Sequence, residues 1–234
     1  MKEDQMNLYK IFPGIFSVVI FSILLLSGFS IRAYAGNTAK EYYDTGVIDE
    51  VSENYDDAII DFTKAIDLDT NYAEAYYERG YCYNECKNRD YSQAIADETR
   101  AIELNPDYGR AYAERGYAYV MLGSDNASLT ITDCNKAVEL DPGSAMAYQY
   151  RGYAYGQLGN YSQEVTDETT AIGFNESSGW AYVARAQAYN RLAQYDKDRD
   201  DVRKAQDMGY PVDQELIDSL NANSGTDNGS SSPP

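Results

Sequence analysis

The sequence predicts an all-α chain built from repeated helix-turn-helix units, on three observations. Near-identical phrases recur first. "EAYYERGYCYN", "RAYAERGYAYV" and "MAYQYRGYAYG" place Arg79-Gly80-Tyr81, Arg115-Gly116-Tyr117 and Arg151-Gly152-Tyr153 at intervals of 36 residues. A companion segment then recurs in step, as "YDDAIIDFTKAIDLDTNY", "YSQAIADETRAIELNPDY", "LTITDCNKAVELDPGS" and "YSQEVTDETTAIGFNESS". Both kinds of segment carry apolar residues at helical spacing. Turn words such as "KNRD" and "GN" separate them, and Asn105-Pro106 or Asp141-Pro142 closes the period.

The period divides the chain into five units, 39–72, 73–108, 109–144, 145–178 and 179–212, which together form an array over 39–212. The second and third carry two extra residues, assigned to the turn between their helices. After Pro211, "VDQELIDSLN" has the apolar spacing of a short last helix over 213–221. Such a helix would cover the open end of the array, as stacked repeats require. Residues 222–234 are polar and Gly/Ser-rich, with no apolar period, and read as a disordered tail. Residues 1–35 stand apart from the repeats. A polar start with Lys2 and Lys10 precedes an uncharged apolar run, Ile11–Ile31, and Ala33-x-Ala35 follows it. This pattern reads as a secretory signal with a small-residue cleavage site, or as a membrane anchor if uncleaved, since the run is long for a signal core. Either way the repeats are expected outside the cytoplasm, anchored to the membrane or secreted.

The repeat resembles the tetratricopeptide repeat family, whose period is about 34 residues. In the fourth unit the resemblance rests on Tyr148, Gly152, Tyr155, Gly159, Tyr161 and Ala171. In the second it rests on Tyr76, Gly80, Tyr83, Tyr91, Ala94, Ala101 and Pro106. Tyr42, Tyr76, Tyr112, Tyr148 and Tyr182 stand where the family often has Trp. The last unit departs from the pattern, with Ala186 at the glycine position and no closing proline. The resemblance implies a right-handed helical-repeat solenoid of about five such units and a concave groove lined by the first helices. The glycines allow close helix approach, which offsets their cost of about 1 kcal/mol within a helix. Ala65, Ala101, Ala137, Ala171 and Ala205 recur on the second helix as a small facing surface.

Arginine replaces the family's usual leucine in the series Thr45, Arg79, Arg115, Arg151, Arg185, and an acid recurs in step as Asp61, Asp97, Asp133, Asp167, Asp201. A buried guanidinium requires a carboxylate, so the two series are expected to pair. Forward pairing (Asp61 with Arg79, Asp97 with Arg115, Asp133 with Arg151, Asp167 with Arg185) leaves only the terminal Asp201 over. Pairing within each unit strands Asp61, and the count favours the forward register.

The resemblance places Tyr81, Tyr117 and Tyr153 on the groove face as a ladder, with Tyr77, Gln149, Arg110 and Trp180 on the same face one or two turns away. Tyr and Trp bury large area at small entropic cost and suit peptide or sugar recognition. The alternative is that these rings pad neighbouring helices. The groove lacks the lysines and asparagines with which family members hold acidic chain termini, so carboxylate-clamp binding is not expected.

Composition narrows the function further. Tyr numbers 24 against six Phe and a single Trp, as expected if one repeated slot is filled by tyrosine. The net charge is −19, and residues 1–35 contribute only Lys2, Lys10, Arg32, Glu3 and Asp4 to it. A surface so acidic repels phosphate backbones and anionic lipid, so no nucleic-acid partner is expected, and membrane contact only through an uncleaved N-terminal segment. Histidine is absent, which removes the usual neutral-pH base and the commonest metal ligand. Cys82, Cys86 and Cys134 form no Cys-x-x-Cys pair and read as buried small residues. No metal or cofactor is expected. Sequons at Asn126, Asn160, Asn175 and Asn228 offer glycosylation in an exporting host that glycosylates, or arise by chance in an Asn/Ser-rich chain. The function implied is a non-enzymatic binding module at or beyond the cell envelope, holding a peptide or protein in its groove. Glycan or polymer binding through the tyrosines is the alternative.

Overall fold

The computed structural model describes residues 38–223, and every described element is helical. The expected signal or anchor, most of the expected tail and Asn228 lie outside these residues. Among the described residues no helix is long and apolar enough to cross a membrane. Helices α1 (Ala39–Val51) and α2 (Tyr55–Leu68) form one compact unit that ends at Asp69. From Thr70 onward a second unit holds α3 (Ala73–Glu85), α4 (Tyr91–Leu104), α5 (Gly109–Leu122), α6 (Ala127–Leu140), α7 (Ala145–Gln157), α8 (Tyr161–Phe174), α9 (Gly179–Arg191), α10 (Tyr195–Asp207) and α11 (Gln214–Asn223). The fold is an all-α helical-repeat solenoid. Each odd helix up to α9 packs on the next as a pair, and within the second unit α4 meets α5, α6 meets α7 and α8 meets α9.

Local chemistry sets the helix ends. Thr38 and Glu41 form a reciprocal capping box at the start of α1, while Asp90, Ser144 and Ser178 accept backbone N–H groups at the starts of α4, α7 and α9. The Asn/Asp at the end of each period does more than precede a proline. Asn105, Asp141 and Asn175 leave the helix at φ of −136°, −135° and −140°, and each side chain accepts from the N–H two residues on, at 3.2, 3.0 and 3.2 Å. The turn therefore survives at Asn175, where Glu176 replaces the proline. The extra residues of the second and third repeats lie between paired helices, at 86–90 and around the 3-10 turn Ser124–Asn126.

Side-chain contact behind the glycines is closer than the alanine column alone would require. A Cβ built on Gly116 would fall 2.9 Å from Cys134 Sγ, and one on Gly80 would fall 2.7 Å from Glu98 Oε1. The facing atoms thus come from the residue three before the alanine on the second helix, while Ala65, Ala101, Ala137, Ala171 and Ala205 are buried alongside. Helix α11 closes the array. Leu216 and Leu220 pack with Ala186 and Val202, covering the apolar end of the last pair.

The arginine and aspartate series do pair, but in the other register. Each arginine grips the aspartate of its own repeat through two bonds of 2.7–2.8 Å: Arg79 with Asp97, Arg115 with Asp133, Arg151 with Asp167 and Arg185 with Asp201. The forward register expected from the sequence is therefore corrected. Asp61, which that register assigned to Arg79, is instead held by Lys64 one turn along α2, at 2.7 Å. Asp201, which it left over, is paired with Arg185. The guanidinium also lies over the ring three residues earlier, at 5.2–5.7 Å from Tyr76, Tyr112, Tyr148 and Tyr182. For Arg115, Arg151 and Arg185 the remaining nitrogen reaches back to the preceding second helix. Arg115 donates to Thr99, Arg151 to Asn135 and Arg185 to Thr169, at 3.0, 2.8 and 3.1 Å.

The Arg115 and Asp133 side chains are 16% and 8% exposed. Arg115→Ala is expected to destabilise the chain by about 3–5 kcal/mol, because it leaves a buried carboxylate uncompensated. In a double-mutant cycle with Asp133→Ala, read by urea unfolding, the expected coupling is about 0.5–3 kcal/mol. Strict additivity would refute the pairing.

Candidate functional site

The first helices of the second unit present a connected strip of partly exposed rings. Tyr117 on α5 meets Tyr91 edge-on, with centroids 6.2 Å apart, and meets Tyr150 on α7 at 5.0 Å. Trp180 on α9 then joins Tyr150 at 6.4 Å and Tyr153 at 5.7 Å. Tyr117, Tyr153 and Trp180 of the expected groove set thus belong to one surface. Between Tyr117 and Tyr153 the connection runs through Tyr150 and Trp180. Tyr81 is partly exposed on α3, and Arg110 is exposed on the first turn of α5.

Two expected groove residues belong to the interior. Tyr77 is 6% exposed and packs on Tyr108 (centroids 4.8 Å apart), Ala101 and Ala111, so it joins α3 to α4 and α5. Gln149 is 8% exposed and donates to the Ser178 hydroxyl, tying α7 to the N-cap of α9. Both sit on the first-helix face chosen from the sequence. They lie at the depth where the next repeat's first residues cover it.

Buried acids are the feature that the sequence reading missed. Aligning the second helices on their alanine gives a column of Phe62, Glu98, Cys134, Glu168 and Val202, so an apolar slot is filled by glutamate in two repeats. Glu98 and Glu168 are fully buried, and among the described residues none of their four carboxyl oxygens has a hydrogen-bond partner. Burial drives both pKa values well above the ordinary glutamate value, and neighbouring acids, Glu114 for Glu98 and Glu164 for Glu168, push the same way. Glu114 is 3% exposed, accepts from Asn84 Nδ2 at 3.3 Å, and is pushed up to about 7, chiefly by burial. Asp198 is buried on α10 and accepts from Asn190 Nδ2 at 2.8 Å. Burial raises it to about 6.

The remaining candidates are placed as follows. The Cys82, Cys86 and Cys134 thiols are all buried, and burial raises the Cys134 pKa. Among the described residues no group of three His, Cys, Asp or Glu side chains is arranged to hold a metal ion. Asn160 and Asn175 are exposed at helix ends, and Asn126 is half-buried in its 3-10 turn.

Paired helices, a small residue at each crossing and a 34–36-residue period define a helical-repeat protein. A tetratricopeptide repeat family model matches residues 62–96 and 134–166, on the α2–α4 and α6–α8 parts of the described repeats. Solved structures share the fold. One of MamA superimposes with a TM-score of 0.60 at 22% identity, covering 73% of this chain and 91% of that one. One of YrrB, described as a TPR protein with an unusual peptide-binding site, gives 0.59 at 21% identity over 79% and 91%. TTC0263, a thermophilic TPR protein of Thermus thermophilus, gives 0.61 at 19% identity over 80% and 98%. No curated protein matches the chain in sequence.

Glu98 and Glu168 bind their protons more tightly in the folded than in the unfolded chain. Their contribution therefore favours the fold at low pH and is lost as pH rises above the ordinary value of about 4.5. The melting temperature is expected to be higher at pH 5 than at pH 8, with the net negative charge adding to the same slope. Glu98→Met or Glu168→Met is expected to stabilise the protein at pH 8 by about 1–3 kcal/mol, the usual penalty of a buried unpartnered polar group. Each is also expected to flatten the pH profile of melting. A variant as pH-sensitive as the parent, with no gain at pH 8, would show that these acids are not buried as described.

Proposed function

We propose that the chain is a non-enzymatic interaction module that holds an extended peptide or protein segment along the strip formed by Tyr117, Tyr150, Tyr153 and Trp180. The observation that carries this reading is the continuity of the strip: rings from three successive first helices touch while remaining partly exposed. Large, stiff aromatic side chains with polar edges bury partner surface at low entropic cost while still accepting and donating hydrogen bonds. The repeat architecture supports it too, since stacked helix pairs build extended binding faces, and the YrrB structure is described as having a peptide-binding site in the same fold.

The site of action we propose is the cell envelope or beyond it. The apolar run Ile11–Ile31 followed by Ala33-x-Ala35 supports export, with the repeats anchored or released according to cleavage. Net charge −19 favours a partner that is neutral or basic and disfavours nucleic acid.

Capture from envelope extract with the intact protein, set against a Tyr117→Ala/Trp180→Ala variant, tests the reading. The expected outcome is a protein partner retained by the parent and weakened at least about tenfold by the variant, as for the loss of two aromatic anchors. Unchanged capture would remove the strip as the binding surface. Retention of polysaccharide with no protein would assign the strip to glycan instead.

A further inference from the structure

Beside the aromatic strip a cavity of about 460 Å³ opens between α7, α8, α9 and α11. Tyr153 and Gln157 line it from α7, Glu164 from α8 and Asn190 from α9, with Asp213 and Glu215 on the α11 side. Glu164 is only 6% exposed, yet among the described residues its carboxyl takes part in no hydrogen bond or ion pair. The Oε1 atom of Gln157 is likewise buried without a partner among them. Asp213 and Glu215 are exposed at the mouth, and Arg191 is the cation among the lining residues.

Nothing in the fold calls for an acid at Glu164. The equivalent slot holds Ala58, Ala94 and Thr130 in the first three repeats, all fully buried. In the fifth it holds Asp198, whose carboxyl is bonded by Asn190. The fourth repeat accommodates its larger acid by a second exception on the facing helix. Gly156 stands opposite, and a Cβ there would fall 2.6 Å from the Glu164 carboxyl carbon. A nearly buried carboxyl with no donor from the protein is costly, so an acid placed here, with space made for it by Gly156, takes its donors from the cavity it lines.

We propose that this cavity is a subsite for a cationic side chain, a lysine ammonium or an arginine guanidinium, carried by the segment that lies along the aromatic strip. The inference deepens the groove reading and rests on it for the peptide. The cation's donors meet the Glu164 carboxyl. The Tyr153 ring walls its stem, and Asp213 and Glu215 draw positive charge to the entrance. The sign of this subsite is opposite to a clamp for acidic termini.

Binding is coupled to a proton. Burial raises Glu164 to about 8, so in the empty cavity at neutral pH it is largely protonated. An entering cation favours the ionised form and expels that proton into solvent. The titratable and charged groups facing it are Tyr153 from α7, Tyr161 from α8, Arg191 from α9, and Asp213 and Glu215 at α11. Glu168 lies deeper, over Gly152, and does not line the cavity. Affinity for the cation therefore rises with pH up to about 8 and then levels.

The test uses the full chain and its single tryptophan, since Trp180 lies 5.7 Å from Tyr153. Trp180 fluorescence is titrated with acetyl-Tyr-Gly-Lys-Gly-Tyr-amide, with its norleucine twin, and with n-butylammonium chloride. The lysine peptide is expected to bind at least about tenfold tighter than the twin at pH 8, with a smaller margin at pH 6. Glu164→Gln, which mimics the neutral acid, should abolish the margin and its pH dependence. The exposed pair Asp213→Asn/Glu215→Gln should reduce it several-fold, with unfolding by urea confirming that the variant is folded. Equal affinity for the two peptides, or a margin intact in both variants, overturns the cation subsite while leaving the groove reading standing. If n-butylammonium binds through Glu164 as tightly as the peptide, the subsite takes a free amine and the groove reading is what fails. No saturable response to any probe overturns the subsite outright.

Discussion

The geometry of the array depends on one interaction, the fork between an arginine on the first helix of a repeat and an aspartate on the second. Two parallel bonds fix both the distance and the rotation of one helix against its mate, which a single point charge would not do. The stacked tyrosine three residues before the arginine then fixes the plane of the guanidinium. The aspartate lies 18 residues after the arginine in the second and third repeats and 16 in the fourth and fifth, yet the bonds have the same length. The two extra residues are absorbed in the turn, and the crossing is unchanged. With two nitrogens committed inside the repeat, the third reaches the preceding helix through a hydroxyl or amide. The same side chain that sets a repeat's interior also sets its register against its neighbour.

Around this fork the chain tolerates unusual polarity. Positions that face the small residue at the helix crossing carry phenylalanine, cysteine or valine in three repeats and glutamate in two, with no hydrogen-bonding compensation for the glutamates among the described residues. A protonated carboxyl is close to isosteric with an apolar side chain of its length, so it fills the slot sterically while giving away stability electrostatically. At the C-terminal end the polarity is better matched. Asn190 bonds both Asp198 and Ser219, so α11 contributes a polar tie as well as Leu216 and Leu220. The end of the array is sealed by both kinds of contact.

The fold was legible because one period carries three independent signals: the glycine, the closing Asn/Asp, and apolar spacing on either side of a turn. The arginine–aspartate partnership was legible for the same reason, since two charged series in step imply each other. Its register was not. The count that favoured forward pairing treated Asp61 as needing an arginine, whereas Lys64, three residues along its own helix, answers it at 2.7 Å. Helical spacing also could not separate Tyr77 from Tyr117. Both lie on the face that the family uses, and only the packing of Tyr108 over Tyr77 tells core from surface. Glu98 and Glu168 were readable, but from the column of exceptions rather than from the consensus.

Specificity in such a chain resides in its exceptions. Every unit repeats what every unit needs, so positions that stay constant along the array describe architecture, and a partner is read by positions that break the pattern. Four of the exceptions lie close together. Tyr150 stands where the second and third repeats have Glu78 and Glu114, and Trp180 where they have Glu74 and Arg110. Glu164 stands where earlier repeats have alanine or threonine, and Gly156 where they have Asn84 and Val120. These four positions lie on α7, α8 and α9, and each contacts Tyr153 or another of the set, or lines the same cavity as Tyr153. Their proximity to the aromatic strip is the sequence pattern that the proposed binding surface draws on, while the constant positions of the other repeats describe the frame.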